Sequence, residues 1–267
     1  MISSDLSSVL SELESAGYAI VPDVFDHTFV RETRAALRSA SASVIAEIGE
    51  DRLHAAGELG VIRIPMRFES HFYRFLENNV LLSLVDATLG PTAILHLQNG
   101  FILPSLPIAQ TPTVFQNAFH RDFPRDLNGY VASINIFVAV DAFTPDNGAT
   151  LVVPGSHKSA EAPTPEAIGS RAIPLVCDAG SVIVFDSTLW HAAGRNTSGS
   201  DRMAINHQFT RSWIKQQIDY VRAIDPGVFS RQLPRTQQLL GSFTRVVTSL
   251  DEYYRTGDQR LYRSGQG

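Results

Sequence analysis

Leu6, Val9, Leu10 and Leu13 recur at the i, i+3, i+4, i+7 spacing of a helix with one apolar face, with Ser3 or Ser4 placed to cap it and Gly17 to end it. The stretch "GYAIVPDVF" then reads as a short strand. A second helix is expected after Asp26, through "FVRETRAALRSA", and a third over "NNVLLSLVDATLG", where Gly90 supplies the C-cap and Pro91 blocks extension. Residues 1–90 are therefore expected to be largely helical.

After Pro91 the apolar pattern shortens to the alternation of strands, in pieces punctuated by turn residues: "AILHLQ", "GFILP", "YVASINIFVAV", "TLVVPGS", "SVIVFDS" and "RMAINHQFT". Strands without long helices between them predict an antiparallel sandwich or barrel over residues 91–212. In "YVASINIFVAV", Ser133 and Asn135 share one face while Ala132, Ile134, Ile136, Val138 and Val140 take the other, the pattern of a barrel wall with a partly polar interior and a cavity. From Trp213 onward, residues 213–267 read as helical or irregular, with "RQLPRTQQLLGSF" and "SLDEYYRTG" packing over the pocket or forming a dimer contact.

Composition bounds this picture without changing it. The 267 residues, 44% hydrophobic and 18% charged, carry no repeat, linker or low-complexity block, so one domain over residues 1–267 is expected. A net charge of -5 without a Lys/Arg cluster argues against a nucleic-acid or anionic-membrane partner, leaving a small molecule. The first residues lack a positive flank and a continuous apolar run, and the single cysteine, Cys177, reads as a small apolar strand residue; together these suggest a cytoplasmic protein, monomeric or homodimeric.

Candidate chemistry starts at "NAFHRDFPRD". On a strand, residues i and i+2 point to one side, so His120 and Asp122 can hold one ion while Arg121 faces away. By itself such a pair is a common coincidence. His191, after Trp190 at the end of "VIVFDSTLW", adds a third ligand, and two imidazoles with one carboxylate on a face of an octahedron leave three positions open, as in non-haem Fe(II) oxygenases; zinc more commonly takes four ligands. Arg202 follows across the turn-rich "AAGRNTSGS", so a hairpin can bring its guanidinium back beside the metal, where it can grip a carboxylate in bidentate fashion. The face of Arg202 also carries Ala204, Asn206 and Gln208, more polar than a core strand needs.

These residues, in the order His120-x-Asp122, "DNGATLVVPGSHK", His191 in "WHAAGRNTS", then Arg202, resemble the phytanoyl-CoA dioxygenase family of Fe(II)/2-oxoglutarate oxygenases, and "GYAIVPDVF" resembles the family's opening. The resemblance covers residues 17–210. It implies a mainly β protein with flanking helices, a double-stranded β-helix (jelly roll, cupin-like), in which His120, Asp122 and His191 bind iron and Arg202 binds the distal carboxylate of 2-oxoglutarate. Asn99 or Gln98 in "HLQNGF", or else Asn135, is expected to contact 2-oxoglutarate as well. Asp122 stands where related halogenases carry a small residue, which favours hydroxylation or another oxidative step using O2. His157, in "PGSH", is expected to be a turn residue, and His27, His54, His71 and His96 to be surface or core residues.

The substrate is left open: "IPMRFESHFYRFLEN", "PSLPIAQTPTVFQ", "RDFPRDLNGY" and the carboxy-terminal part are the variable stretches expected to read it, with Arg121, Arg125 and Tyr130 either meeting a polar substrate or exposed in loops. Two rivals remain. A cupin-like metal oxygenase without 2-oxoglutarate has no need of Arg202, and a non-catalytic jelly-roll binding protein has no need of the complete ligand set.

Overall fold

The computed structural model describes residues 3–107, 117–263 and 265–266, so most of "PSLPIAQTPTVFQ" lies outside the described residues. Helix α1 (Ser3–Ala16) ends at Gly17, whose φ of +87° an L side chain rarely adopts. Strand β1 (Tyr18–Val21) and helix α2 (His27–Ile48) follow, the latter capped by Asp26, which accepts from the Phe29 amide at 2.7 Å. A short α3 (Glu50–Ala55) and edge strand β2 (Val61–Arg63) precede a 3-10 stretch at Ser70–Glu77 and helix α4 (Asn79–Leu89), capped by Asn78.

The strands are β3 (Ile94–Leu103), β4 (Ser133–Ala139), β5 (Leu151–Val152), β6 (Ile173–Pro174), β7 (Val182–Asp186), β8 (His191–Ala192) and β9 (Arg202–Thr210). They form a six-stranded sheet in the order β1-β7-β4-β9-β3-β2 and a three-stranded sheet β6-β5-β8, every pair antiparallel. This is the expected antiparallel, mainly β core with flanking helices.

Strand alternation divides the larger sheet into two faces. Ile134, Ile136 and Val138 of β4, Val182 and Val184 of β7, and Met203, Ile205 and Phe209 of β9 pack with Leu37, Phe72, Phe75, Leu81 and Leu84 from the helical layer. The opposite face turns Ala139, Ile183, Phe185 and Ala204 toward Val152 of the smaller sheet and toward Phe143, Leu175 and Leu189. The functional cavity opens between the sheets on this second face.

Three expectations change. "AILHLQ" and "GFILP" are one strand, because Gly100 is a close approach and not a turn: a Cβ there would collide with Leu37 Cδ2. "IPMRFESHFYRFLEN" does not line the cavity; Phe72, Tyr73, Phe75 and Leu76 are buried in the helical layer. Finally β8 and β9 lie in different sheets, so "AAGRNTSGS" passes from one sheet to the other and makes no hairpin.

Candidate metal centre

His120 is joined to the small sheet by a single antiparallel bridge to His191: the His120 amide donates to the His191 carbonyl at 2.9 Å and the His191 amide returns the bond at 3.0 Å. His191 in turn pairs with Val152. The bridge brings the two imidazoles to 4.4 Å between ring centroids, and Asp122 is delivered to the same point two residues on. Asp122 Oδ1 lies 3.4 Å from His120 Nε2, and Oδ2 lies 3.7 Å from His191 Nε2. One ligand atom from each residue falls within 4.8 Å of the others, a group of the size that holds a metal ion.

The protonation pattern suits a cation. His120 Nδ1 faces the Ala118 carbonyl at 2.8 Å and His191 Nδ1 the Leu189 carbonyl at 2.9 Å. A carbonyl only accepts, so each Nδ1 carries the proton and each Nε2 presents a lone pair to the centre. Two lone pairs and a carboxylate converge there, an arrangement of acceptors that a cation satisfies. Burial raises Asp122, but His120, His191 and the Asn135 amide together hold it below the ordinary carboxylate value. Burial lowers His120, yet the bonds its protonated ring makes to Asp122 and the Ala118 carbonyl leave it raised; for fully enclosed His191 burial prevails and it is lowered.

Behind the carboxylate runs a polar chain. Asn135 helps to lower the pKa of Asp122, donates to Ser187 Oγ at 2.9 Å, and accepts at its Oδ1 from Asn206 at 3.0 Å. Asn135 is thus placed beneath the metal ligand and does not line the cavity.

The ligands open into a cavity of about 410 Å³ that Arg202, Thr150, Asn99, Asn206, Gln208, Arg63, His96 and Gln217 share with apolar Leu97, Phe101 and Phe137. Arg202 is 4% exposed, donates to the Gly148 carbonyl at 2.8 Å and lies 4.3 Å from the Phe143 ring centre. Burial brings its pKa down to about 10. Its Nε has no partner among the described residues, nor does an acidic side chain pair with it there, so a buried cation faces the cavity with a donor to spare.

Asn99 lies on the cavity wall with its amide oxygen accepting from Arg63 Nη1 at 2.7 Å. Gln98 is turned the other way: it donates to the Phe72 carbonyl at 3.1 Å and bonds His207 Nε2 at 3.0 Å beneath the helices. Alternation along β3 sends neighbours to opposite faces, so of these two only Asn99 reaches the cavity. Arg121 also points away, its guanidinium bonded to the carbonyls of Ser156, Ser159 and Ala160 and stacked on Trp190, and Arg125 and Tyr130 line a separate depression. His157 contacts the Glu14 carbonyl at 3.1 Å, the structural place expected for it.

His96 is a cavity residue that sequence reasoning missed, as it did Arg63, Thr150 and Gln217. The β3–β9 register shifts between Leu95 and Leu97, so His96 is an extra residue in a bulge and both it and Leu97 line the cavity. Counting back from Asn99 by twos assigns it to the helical face, and no letter nearby announces the bulge.

A sequence model described as phytanoyl-CoA dioxygenase (PhyH) matches residues 13–204. The chain belongs to that family. It is 59% identical over 262 residues to protein Rv1501 of Mycobacterium tuberculosis, covering 98% of this chain and 96% of that one. It also matches the dioxygenase cdmD of Talaromyces verruculosus at 40% identity, over 54% of this chain and 49% of cdmD. In fold, this phytanoyl-CoA dioxygenase family member is similar to EctD from S. alaskensis, solved with 2-oxoglutarate and 5-hydroxyectoine, at a TM-score of 0.62 and 19% identity over 79% of this chain and 76% of that one. The non-haem monooxygenase ThoJ, as its Ni complex, is similar at 0.61 and 18% over 79% and 80%. The fold class is therefore the double-stranded β-helix of these oxygenases, and the family makes the chain an oxygenase. Among the described residues no helix is long and apolar enough to cross a membrane.

Proposed function

We propose that the protein is an Fe(II)- and 2-oxoglutarate-dependent dioxygenase that oxidises an unactivated C–H bond of a small molecule. One observation carries the reading beyond the family: buried Arg202, without an acidic partner among the described residues, lines the same cavity as the His120, Asp122 and His191 cluster. A cupin-like oxygenase that dispenses with 2-oxoglutarate gains nothing from that buried cation, whose desolvation is unfavourable without an anion.

In this reading His120, Asp122 and His191 hold the iron, their orientation fixed by the Ala118 and Leu189 carbonyls and the Asn135 amide. The bound iron, with 2-oxoglutarate and O2, supplies the oxidation, yielding succinate and CO2. Arg202 binds and orients the distal carboxylate, and Thr150 and Asn99 are polar contacts available along the same cavity. Leu97, Phe101 and Phe137 exclude water from the reacting region.

Succinate release tests it. Wild-type protein supplied with Fe(II), ascorbate and O2 is expected to convert 2-oxoglutarate slowly to succinate even without substrate, and His191→Ala is not. Equal succinate from both proteins would sink the proposal.

A further inference from the structure

The cavity has two polar ends joined by an apolar wall. At one lies Arg202 on β9, opposite Leu103 of β3; at the other, His96, Gln208 and Gln217 gather beside the β3 bulge, with Arg63 and Asn99 adjoining. Six residue steps along β9 take the strand from Arg202 to Gln208, roughly 20 Å, so one small molecule bound at Arg202 leaves the far end to another.

The bulge is a built feature. Its disrupted ladder would leave backbone groups unpaired, and both are met by side chains from the carboxy-terminal segment: Gln216 donates to the Leu95 carbonyl at 2.7 Å, and the Gln98 amide donates to Tyr220 Oη at 2.7 Å. That segment also lends Gln217 to the cavity lining. The result is that His96 stands on the cavity face, where regular pleating would have hidden it. Its Nδ1 has no partner among the described residues, and no side chain there restrains which nitrogen carries the proton.

Charge decides what this end accepts. Among the described residues, the charged side chains lining the cavity are Arg63, Arg202 and Asp122, apart from the imidazoles. Arg63 is already matched, its Nε and Nη2 holding both oxygens of Glu58 at 2.9 and 2.6 Å and its Nη1 reaching Asn99. In the function proposed above, Arg202 is matched by the distal carboxylate and Asp122 by the metal. Among the described residues nothing is left over to balance a charged substrate, and burying an unmatched charge is strongly unfavourable. A hydroxyl or carbonyl has no such penalty and can bond an imidazole.

We infer that the His96 end of the cavity binds an uncharged substrate with a compact apolar body and a hydroxyl or carbonyl oxygen, and that His96, turned inward by the bulge, is the specificity-determining residue that hydrogen-bonds this oxygen. The inference rests on the proposed function. Burial, which lowers the pKa of His96 against the pull of Asp122, is in keeping with a neutral imidazole there.

The test is calorimetric and needs no turnover. Protein loaded with redox-inert Zn(II) and 2-oxoglutarate is titrated with four probes sharing one hydrocarbon cage: 1-adamantanol, 2-adamantanone, 1-adamantanecarboxylate and 1-adamantanamine. The alcohol and ketone are expected to bind at least roughly tenfold tighter than the two ions, and His96→Phe, which keeps the ring volume, to remove about that factor for the alcohol and ketone. His96→Gln, which keeps a donor and an acceptor, should restore most of it. Tighter binding of the carboxylate, unchanged ketone binding in His96→Phe, or no binding of either uncharged probe to protein that does bind 2-oxoglutarate would overturn the inference. Failure of 2-oxoglutarate itself to bind would instead sink the reading of the whole site, and the inference with it.

Discussion

His120 and His191 exchange both of their backbone hydrogen bonds across one antiparallel bridge, and that single pairing sets the separation of two metal-ligand candidates from distant parts of the chain. The backbone bridge brings the imidazoles together, while the Ala118 and Leu189 carbonyls fix their tautomers. The centre is therefore preorganised.

Preorganisation predicts that the ligands can be removed without loss of the fold. His120→Ala and Asp122→Ala should bind Fe(II) at least about 100-fold more weakly while keeping the wild-type circular dichroism spectrum. Unfolding of either variant would mean that the cluster holds the sheets together.

Asn135 lowers the pKa of Asp122 and is itself held by Asn206, so Asn135→Ala should loosen metal binding by about 10- to 100-fold, with a smaller effect for Asn206→Ala, one residue further away. Metal titration of the two variants checks the order. An Asn206→Ala effect larger than that of Asn135→Ala would contradict the chain as described.

Arg202 illustrates a side chain placed for function and not for stability. It is buried and has an unpartnered Nε among the described residues, so Arg202→Met should leave the apo protein at least as stable as wild type in thermal unfolding. A loss of several kcal/mol would show that the Gly148 and Phe143 contacts outweigh the desolvation of the guanidinium.

His207, wholly buried beneath the helices, accepts from Gln98 and faces the Ile136 carbonyl, and burial pushes its pKa down to about 4 from 6.5. Between those values the unfolded chain binds a proton that the folded protein refuses, so this residue's contribution to stability is intact above 6.5 and is lost as pH falls toward 4. The full difference is roughly 3 kcal/mol. Urea unfolding at about pH 5 and about pH 7.5 should show a larger drop for wild type than for His207→Gln; equal drops would contradict the assignment.

How far the sequence could be read follows from the same geometry. Periodicity exposed α1, α2, α4 and the strands that alternate regularly, because those elements bury one stripe or one face. His120, Asp122, His191 and Arg202 were visible as residue types in an order that the family shares. The choice between Asn99 and Gln98 turned on pleat direction, and the inward turn of His96 on a bulge whose backbone partners, Gln216 and Tyr220, lie far along the chain. Of the two-residue strands, β5 falls within "TLVVPGS", whereas β6 and β8 have no local signature, since their pairing comes from the sheet they complete.

The central claim is that one cavity binds both Fe(II) and 2-oxoglutarate, the latter through Arg202. Anaerobic titration of the protein with Fe(II) and then 2-oxoglutarate tests it most directly, by the weak visible charge-transfer absorption of the chelate, with Arg202→Met alongside. The account predicts absorption that appears with 2-oxoglutarate in wild type and is lost or greatly weakened in the variant. Iron that binds tightly while 2-oxoglutarate produces no absorption, or absorption unchanged in Arg202→Met, would contradict it.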